Sequence, residues 1–220
     1  MPSADASIVR PADVERWLAE LGVAAQARAD RDGVTSWDLR LDGRRRFDLP
    51  ITLILDPQLA LICWVHYAPP IGDAFRKSYR RLLRWNDEFP FAKFSLAEDE
   101  RPILASELPV RTLDRDELGL ALARSLALSD RLLEESAAWI WIGGRIPDEG
   151  DRPSRGAHLI ERYAARMGEL LDPDEPGSGA VGGGPVPSAV VPAGDAVVPA
   201  GNAAVAADPG SLEAAGPARR

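Results

Sequence analysis

The sequence predicts an α+β fold in the element order α-β-β-β-α-β-β-α, followed by one more helix and a tail. Three observations predict this class. Several segments alternate apolar and polar residues, as strands do. Other segments repeat their apolar residues every three to four positions, as amphipathic helices do. Asp-Gly and Asp-Pro pairs, which favour turns, separate the strand-like segments.

The N-terminal region predicts a short helix. Pro11 to Leu21 carries its apolar residues on one face, and Gly22 is placed to end the helix. The next segment, Val23 to Asp32, alternates only small apolar residues, and its signal is too weak to assign an element.

Three strands are predicted next. Trp37 to Asp42 alternates apolar and charged residues, which indicates a strand with one solvent-facing side. Asp42-Gly43 suits a tight hairpin turn, because glycine accepts a positive φ. The returning strand extends from Phe47 to Leu55, and a turn at 56–58 leads into the third.

The third strand, Leu59 to Tyr67, is largely apolar on both faces. Its even-numbered face carries Ile62, Trp64 and His66. A strand of this kind usually lies centrally in a sheet and is covered on both sides by helices or by a partner. The segment therefore indicates an interface.

Asp73 to Asn86 predicts a helix with two unlike faces. The apolar face carries Phe75, Tyr79, Leu82 and Leu83. The basic face carries Arg76, Lys77, Arg80, Arg81 and Arg84. This stripe of cations is open to three interpretations: a solvated face, a contact with an acidic protein surface, or a contact with nucleic acid phosphates. The net charge of −8 disfavours the last.

Two strands and the longest helix complete the predicted domain. The strands are Phe91 to Leu96 and Arg101 to Leu108, joined by an acidic turn. Asp114 and Glu117 match a capping box, so a helix is predicted from there to about Ser136 or beyond.

The predicted long helix has an unusually wide apolar arc. The arc is defined by Leu118, Ala121, Leu122, Leu126, Leu132 and Leu133. Leu120, Ala127 and Leu128 widen it past what one contact with a sheet needs. The segment 139–142, Trp-Ile-Trp-Ile, is either a second candidate surface or a helix end that packs on its own sheet.

The composition divides the chain into three parts. Residues 1–142 are predicted to form the α+β domain, and 143–172 a linker with a peripheral helix over Arg155 to Leu171. Residues 173–220 are rich in Gly, Pro, Ala and Val and contain no aromatic residue. Such a segment cannot bury enough area to offset its ordering entropy, so a disordered tail is predicted.

Composition also indicates a cytoplasmic protein. Cys63 is the only cysteine, so an internal disulfide is impossible. The N-terminal segment is charged and lacks the apolar stretch of a signal peptide. The longest apolar run, Leu59 to Val65, is far shorter than the roughly 20 residues of a membrane span.

We find no arrangement of residues that predicts catalysis, a cofactor or a metal. Cys63 and His66 are close in sequence, but on a regular strand they point to opposite faces. One cysteine and two histidines, His66 and His158, do not make a zinc site. Gly182-Gly183-Gly184 lies in the tail without the strand and Lys of a phosphate loop.

The order of several short motifs resembles the YbjN family. A helix ending in Leu-Leu-x-x-Asn precedes a Phe-x-x-Phe-x-Leu strand, an acidic turn leads to a strand that closes on Leu-Pro, and Leu113-x-x-x-Glu117-Leu118 opens a long helix. The likeness covers Trp37 to Trp139. It implies a twisted antiparallel sheet with helices packed on it, the fold of class I type III secretion chaperones. It also implies a homodimer and a role as a sensory-transduction regulator or chaperone-like protein, with no assigned catalytic residues.

Two functional hypotheses follow. The preferred one is a non-enzymatic, chaperone-type homodimer that presents apolar surface to an unidentified protein client. Its expected contact or dimer positions are Ile62, Trp64, His66, Leu120 and Leu128. The alternative is a regulatory module that binds nucleic acid or an acidic partner through the basic helix face at 76–84.

Overall fold

The computed structural model describes residues 9–71 and 76–170. The helices are α1 (Pro11–Glu20), α2 (Arg76–Glu88), α3 (Arg115–Arg131), α4 (Leu133–Ile140) and α5 (Ala157–Arg162). The strands are β1 (Ala25–Arg31), β2 (Val34–Leu41), β3 (Leu49–Leu55), β4 (Ala60–His66), β5 (Lys93–Leu96) and β6 (Pro102–Pro109). Short 3-10 turns lie at Ile142–Gly144, Ala164–Arg166 and Gly168–Leu170. The predicted tail, 173–220, lies outside the described residues.

The six strands form one antiparallel sheet in the order β1-β2-β3-β4-β6-β5. The α+β prediction is therefore confirmed. β4 is central, as its two-sided apolar pattern predicts, and it pairs with β3 and β6. The register places Thr52 opposite Trp64, and Trp64 opposite Ala105.

Contacts from four helices lie on the same sheet face, which we call the covered face. Trp37 of β2 donates from its indole nitrogen to Glu15 of α1 at 3.2 Å. Tyr67, which follows β4, bonds to Ser136 of α4 at 2.8 Å. Cys63 lies 3.9 Å from Ser125 of α3. In α2, the ring centroid of Trp85 lies 5.2 Å from that of Phe94 in β5. The cross-strand partner of Phe94 in β6 is the buried Leu104.

The fold differs from the prediction in one additional strand, β1, and in two turns. β1 forms where the sequence signal was weak, and it pairs with β2 although all seven of its residues are exposed. The hairpin turn is Asp32-Gly33, where both residues have positive φ. The predicted hairpin turn at Asp42-Gly43 is wrong, because residues 42–48 form a longer loop around the carboxylate of Asp130 on α3.

The predicted helices differ mainly at their ends. Asp114 caps α3 by accepting from the Glu117 backbone at 2.8 Å, as expected. The long helix is interrupted at Leu132, where α4 begins. The helix predicted over Arg155 to Leu171 is α-helical only in α5 and continues in 3-10 turns. On α2, Leu82 is buried as predicted, but Leu83 is 65% exposed.

The wide apolar arc of α3 is explained by two contacts of this helix within its own chain, one with the sheet and one with α5. α5 packs on α3, so α3 meets both the sheet and another helix. Gly119 is in close contact with Tyr163, just beyond α5, and its absent side chain leaves room for that ring. The expectation that Leu120 and Leu128 are contact positions is wrong for this chain: they are 1% and 0% exposed.

Candidate functional site

The second face of the sheet, which we call the open face, carries an apolar centre. Ile54 and Ile62 are cross-strand partners there, and Trp64 lies two residues further along β4. These side chains alternate with the buried residues of their strands and are only partly buried. Directly opposed side chains of this kind pack against one another. The open face thus presents an apolar patch of three partly buried side chains, Ile54, Ile62 and Trp64, at the centre of the sheet.

Trp64 is the largest side chain of this patch. Its indole N–H is shielded from solvent and has no hydrogen-bond partner within residues 9–71 and 76–170. A buried donor without an acceptor costs about 1–3 kcal/mol. Tryptophan combines a large apolar area with one donor, the combination found at many protein-binding hot spots.

Polar groups border the patch in a connected chain. Thr52 donates to Asp38 at 2.9 Å, and its oxygen lies 3.2 Å from Nε2 of His66. Nδ1 of His66 lies 3.3 Å from Arg101, which also donates to Asp99 at 2.8 Å. The pattern is satisfied when Nε2 of His66 carries the proton and Nδ1 accepts from Arg101.

The environment of His66 favours its neutral form. Burial lowers its pKa from the ordinary value, and the positive charge of Arg101 lowers it further, against the smaller effects of Asp38 and Asp99. His66 therefore acts as a neutral link between Thr52 and Arg101. The structure places Ile62, Trp64 and His66 together on the open face, as the sequence predicted.

The basic face of α2 forms a different surface. Arg80, Arg81 and Arg84 line a cleft of about 350 Å³ together with Trp139. Arg81 pairs with Glu135 of α4 at 2.5 Å. The side chains of Arg76 and Lys77, predicted to extend this face, are not among those that the structure describes.

The side chains considered for catalysis are kept apart. Cys63 is fully buried on the covered face, and His66 lies on the open face, as the alternation of β4 predicts. Burial raises the pKa of the Cys63 thiol to about 12, so the thiolate is scarce at neutral pH. In the described part of the chain, no group of three or more His, Cys, Asp or Glu side chains is placed to hold a metal ion. No helix in that part is long and apolar enough to cross a bilayer.

Sequence reasoning missed a second cleft beside the open face. Arg46, Tyr67, Arg101 and Trp141 come from separate segments and line one cavity. The run Arg44-Arg45-Arg46 reads as an exposed basic loop, yet Arg46 is only 4% exposed. No local pattern distinguishes the buried arginine from its two exposed neighbours.

Comparison with known protein families identifies a family that the chain resembles. Residues 10–137 match the family model YbjN, described as "Putative bacterial sensory transduction regulator". The match covers more than half of the chain and spans every helix and strand from α1 to β6, all of α3 and part of α4. No curated protein matches the chain.

Proposed function

The chain belongs to the YbjN family, and from this premise we propose that it is a non-enzymatic regulatory module that pairs with a second copy of itself through the open face. The observation that carries the proposal is the partly exposed Trp64 beside Ile62 and Ile54 at the centre of the open face, where all three apolar side chains are only partly buried within the described chain.

The pattern of charge around the patch supports a second copy as the partner. Asp38 and Arg40 border it on β2, and Lys93 and Glu107 on β5 and β6. An apolar centre inside a mixed-charge rim is the usual arrangement of a protein interface. A rim with both signs can pair with its own copy, although the whole chain carries a net charge of −8.

Dimerisation would cover the apolar patch. It would also place the hydrogen-bonded side chains of Asp38, Thr52, His66 and Arg101 at the edge of the interface. Binding of a protein client at the remaining surface would then act on a preformed dimer. The proposal involves no bond-making step, in keeping with the buried, protonated thiol of Cys63 and the neutral His66 on opposite faces.

The test is the oligomeric state of the full chain by sedimentation equilibrium. We expect a dimer for the natural protein and a monomer for Trp64→Glu, because a carboxylate at the centre of an apolar interface is left desolvated and unpaired. The matched control is Leu83→Glu, which places the same charge on an exposed leucine of α2; it should remain dimeric. A monomeric natural protein at about 100 µM, or a dimeric and folded Trp64→Glu variant, would refute the proposal.

A second candidate function rests on the basic face of α2. Leu83 is 65% exposed among the arginines that line the cleft with Trp139. A surface that mixes cations with an exposed leucine suits an acidic, partly apolar protein segment better than a phosphate backbone. Contact of this kind would make α2 the client-binding surface of the regulator.

Titration at two salt concentrations tests this candidate. The Arg80→Gln/Arg84→Gln double variant should lose binding to an acidic polyglutamate–leucine peptide, and binding by the natural protein should weaken as salt increases. Binding to mixed-sequence DNA of the same charge would favour the nucleic-acid interpretation instead. Absence of both interactions at low salt would rule out the basic face as a binding surface.

A further inference from the structure

A cleft of about 370 Å³ lies at the end of the sheet where β3 begins, β4 ends and β6 begins. Arg46 and Arg101 line it together with His66. Its apolar lining consists of Phe47, Leu49, Pro50, Tyr67, Ala68, Pro69, Pro70, Ile140 and Trp141. The volume is within the range of small-molecule sites, and two cations meet apolar walls in it.

Arg46 is the unusual group of this cleft. The residue is buried, its Nη2 donates to the backbone carbonyl of Tyr67, and its guanidinium lies 4.3 Å from the centre of the Tyr67 ring. Its Nη1 is buried and has no hydrogen-bond partner in the described chain. Within the described part of the chain, both of these contacts of the Arg46 guanidinium are with neutral groups of Tyr67.

No carboxylate of the described residues forms an ion pair with Arg46. Asp130 is the described acidic group that acts on it, but the carboxylate is occupied by three backbone N–H groups, including that of Arg46 at 2.8 Å. Burial is the largest influence on Arg46 and lowers its pKa. A buried guanidinium whose charge is not neutralised by a contacting anion is costly in free energy, and an anionic ligand would relieve that cost.

Arg101 provides a second, more accessible cation. Its guanidinium is held from one side by Nδ1 of His66 at 3.3 Å and from the other by Asp99 at 2.8 Å. These two bonds fix its position, while 38% of the side chain stays exposed. Arg46 and Arg101 thus line the same cleft, the first buried and the second partly exposed to solvent.

One acidic residue also lines the cleft, but its charge is already compensated. The carboxylate of Asp48 accepts from Arg152 at 2.9 Å and from Arg155 at 2.5 Å. These hydrogen bonds lower the pKa of Asp48 to about 2. The negative charge of Asp48 is therefore compensated by Arg152 and Arg155.

We propose that this cleft binds a small organic anion, with a carboxylate or phosphate group between Arg46 and Arg101 and an apolar body against Trp141 and Pro69-Pro70. Arginine donates planar, paired hydrogen bonds that match carboxylate and phosphate oxygens. The proposal goes beyond the pairing of two copies. A bound anion would be the ligand that the regulatory module senses. His66 belongs both to the lining of this cleft and to the open face.

Calorimetric titration of the full chain at neutral pH and low salt tests the site. The probes are benzoate, phenyl phosphate, inorganic phosphate and uncharged benzamide. We expect saturable binding of benzoate or phenyl phosphate, weaker binding of inorganic phosphate, which lacks the apolar body, and none of benzamide. A preference between the first two distinguishes a carboxylate from a phosphate ligand.

Two variants and a control locate the binding. Arg101→Gln should weaken it by about tenfold or more, because one charge-assisted hydrogen bond is lost. Arg46→Gln should abolish binding, and Arg46→Lys should also weaken it because the planar fork is lost. Arg31→Gln, on a side chain 92% exposed near the β1–β2 turn, should bind like the natural protein.

The outcomes separate this proposal from the one on pairing. Trp64→Glu should keep anion binding even where it loses the dimer, since Trp64 does not line the cleft. Absence of saturable binding of every anion up to about 10 mM would overturn the proposal. Equal affinity of Arg101→Gln and the natural protein for these anions would also overturn the proposal. This second test remains available if Arg46→Gln fails to fold, because Arg101→Gln leaves the buried Arg46 in place.

Discussion

Arg155 holds Asp42 by two parallel hydrogen bonds of 2.6 Å, from Nε and Nη2 to the two carboxylate oxygens. The side chain of Asp42 is fully buried, and it also accepts from the backbone of Asp48 at 2.7 Å and of Arg155 at 3.0 Å. Burial is the largest influence on Asp42 and would raise its pKa, but these bonds together lower it. This contact joins the β2–β3 loop to the segment that leads into α5.

Asp42→Asn should destabilise the protein. The variant loses the bidentate ion pair and keeps a buried polar group, for an expected loss of about 2 kcal/mol in the free energy of unfolding. The value is at the low end for buried pairs because Arg155 is itself 40% exposed. Urea denaturation measures it, with Asp32→Asn at the exposed β1–β2 turn as the control. Equal midpoints for the two variants would show that this pair does not stabilise the fold.

Acid should destabilise the protein between about pH 4 and pH 2. The pKa of Asp48 is lowered from 3.8 to about 2 by hydrogen bonds from Arg152 and Arg155. A carboxyl with a lowered folded-state pKa stabilises the fold above its unfolded-state pKa, and that stabilisation is lost as pH falls through the folded-state pKa. The pKa of Asp130 is raised by burial and acts in the opposite sense.

Thermal unfolding at a series of pH values measures this effect. The loss of stability between pH 4 and pH 2 should be smaller for Asp48→Asn than for the natural protein, since the amide side chain of the variant does not titrate. An identical pH profile for the two proteins would contradict the assigned role of Asp48.

Gly119→Ala should destabilise the packing of α5 on α3. Alanine is favoured over glycine inside a helix by about 1 kcal/mol, so the local effect alone would be stabilising. However, a Cβ atom at position 119 would lie 2.6 Å from Cζ of Tyr163. Tyr163 is 5% exposed and donates to Asp116 at 3.0 Å, so it cannot move without losing contacts. Overpacking typically costs about 1–3 kcal/mol.

A double-mutant cycle separates the two effects. Gly119→Ala made in a Tyr163→Ala background should be neutral or stabilising, because the clash is absent and the helix preference remains. The measurement is the free energy of unfolding in urea. If Gly119→Ala stabilises the natural protein as well, then the Tyr163 ring does not occupy the space next to position 119.

Cys63 should react with a thiol reagent only after the protein opens. Its side chain is fully buried, and burial raises the pKa of the thiol to about 12. The labelling rate with a disulfide reagent at neutral pH should therefore follow the population of open molecules and rise steeply near the urea midpoint. Labelling of the native protein at the rate of a free cysteine would show that the covered face is accessible.

The sequence by itself determined the elements that depend on local patterns. The two-sided apolar alternation of β4 predicted a central strand, and the structure pairs β4 on both edges. The same alternation predicted that Cys63 and His66 point to opposite faces. Asp114 predicted the start of α3, because a capping side chain acts within three residues of its own position.

Only the tertiary structure decided how far each apolar surface is covered. The wide arc of α3 is explained by α5, which returns from a distant part of the chain to cover it. β1 was missed because its alternating alanines bury little area, while backbone pairing with β2 depends on a neighbouring strand. The pairing of Asp42 with Arg155 spans 113 residues, and the cleft around Arg46 gathers four separate segments. Periodicity reports which side of an element is apolar, whereas burial and charge compensation depend on which distant segment comes to lie there.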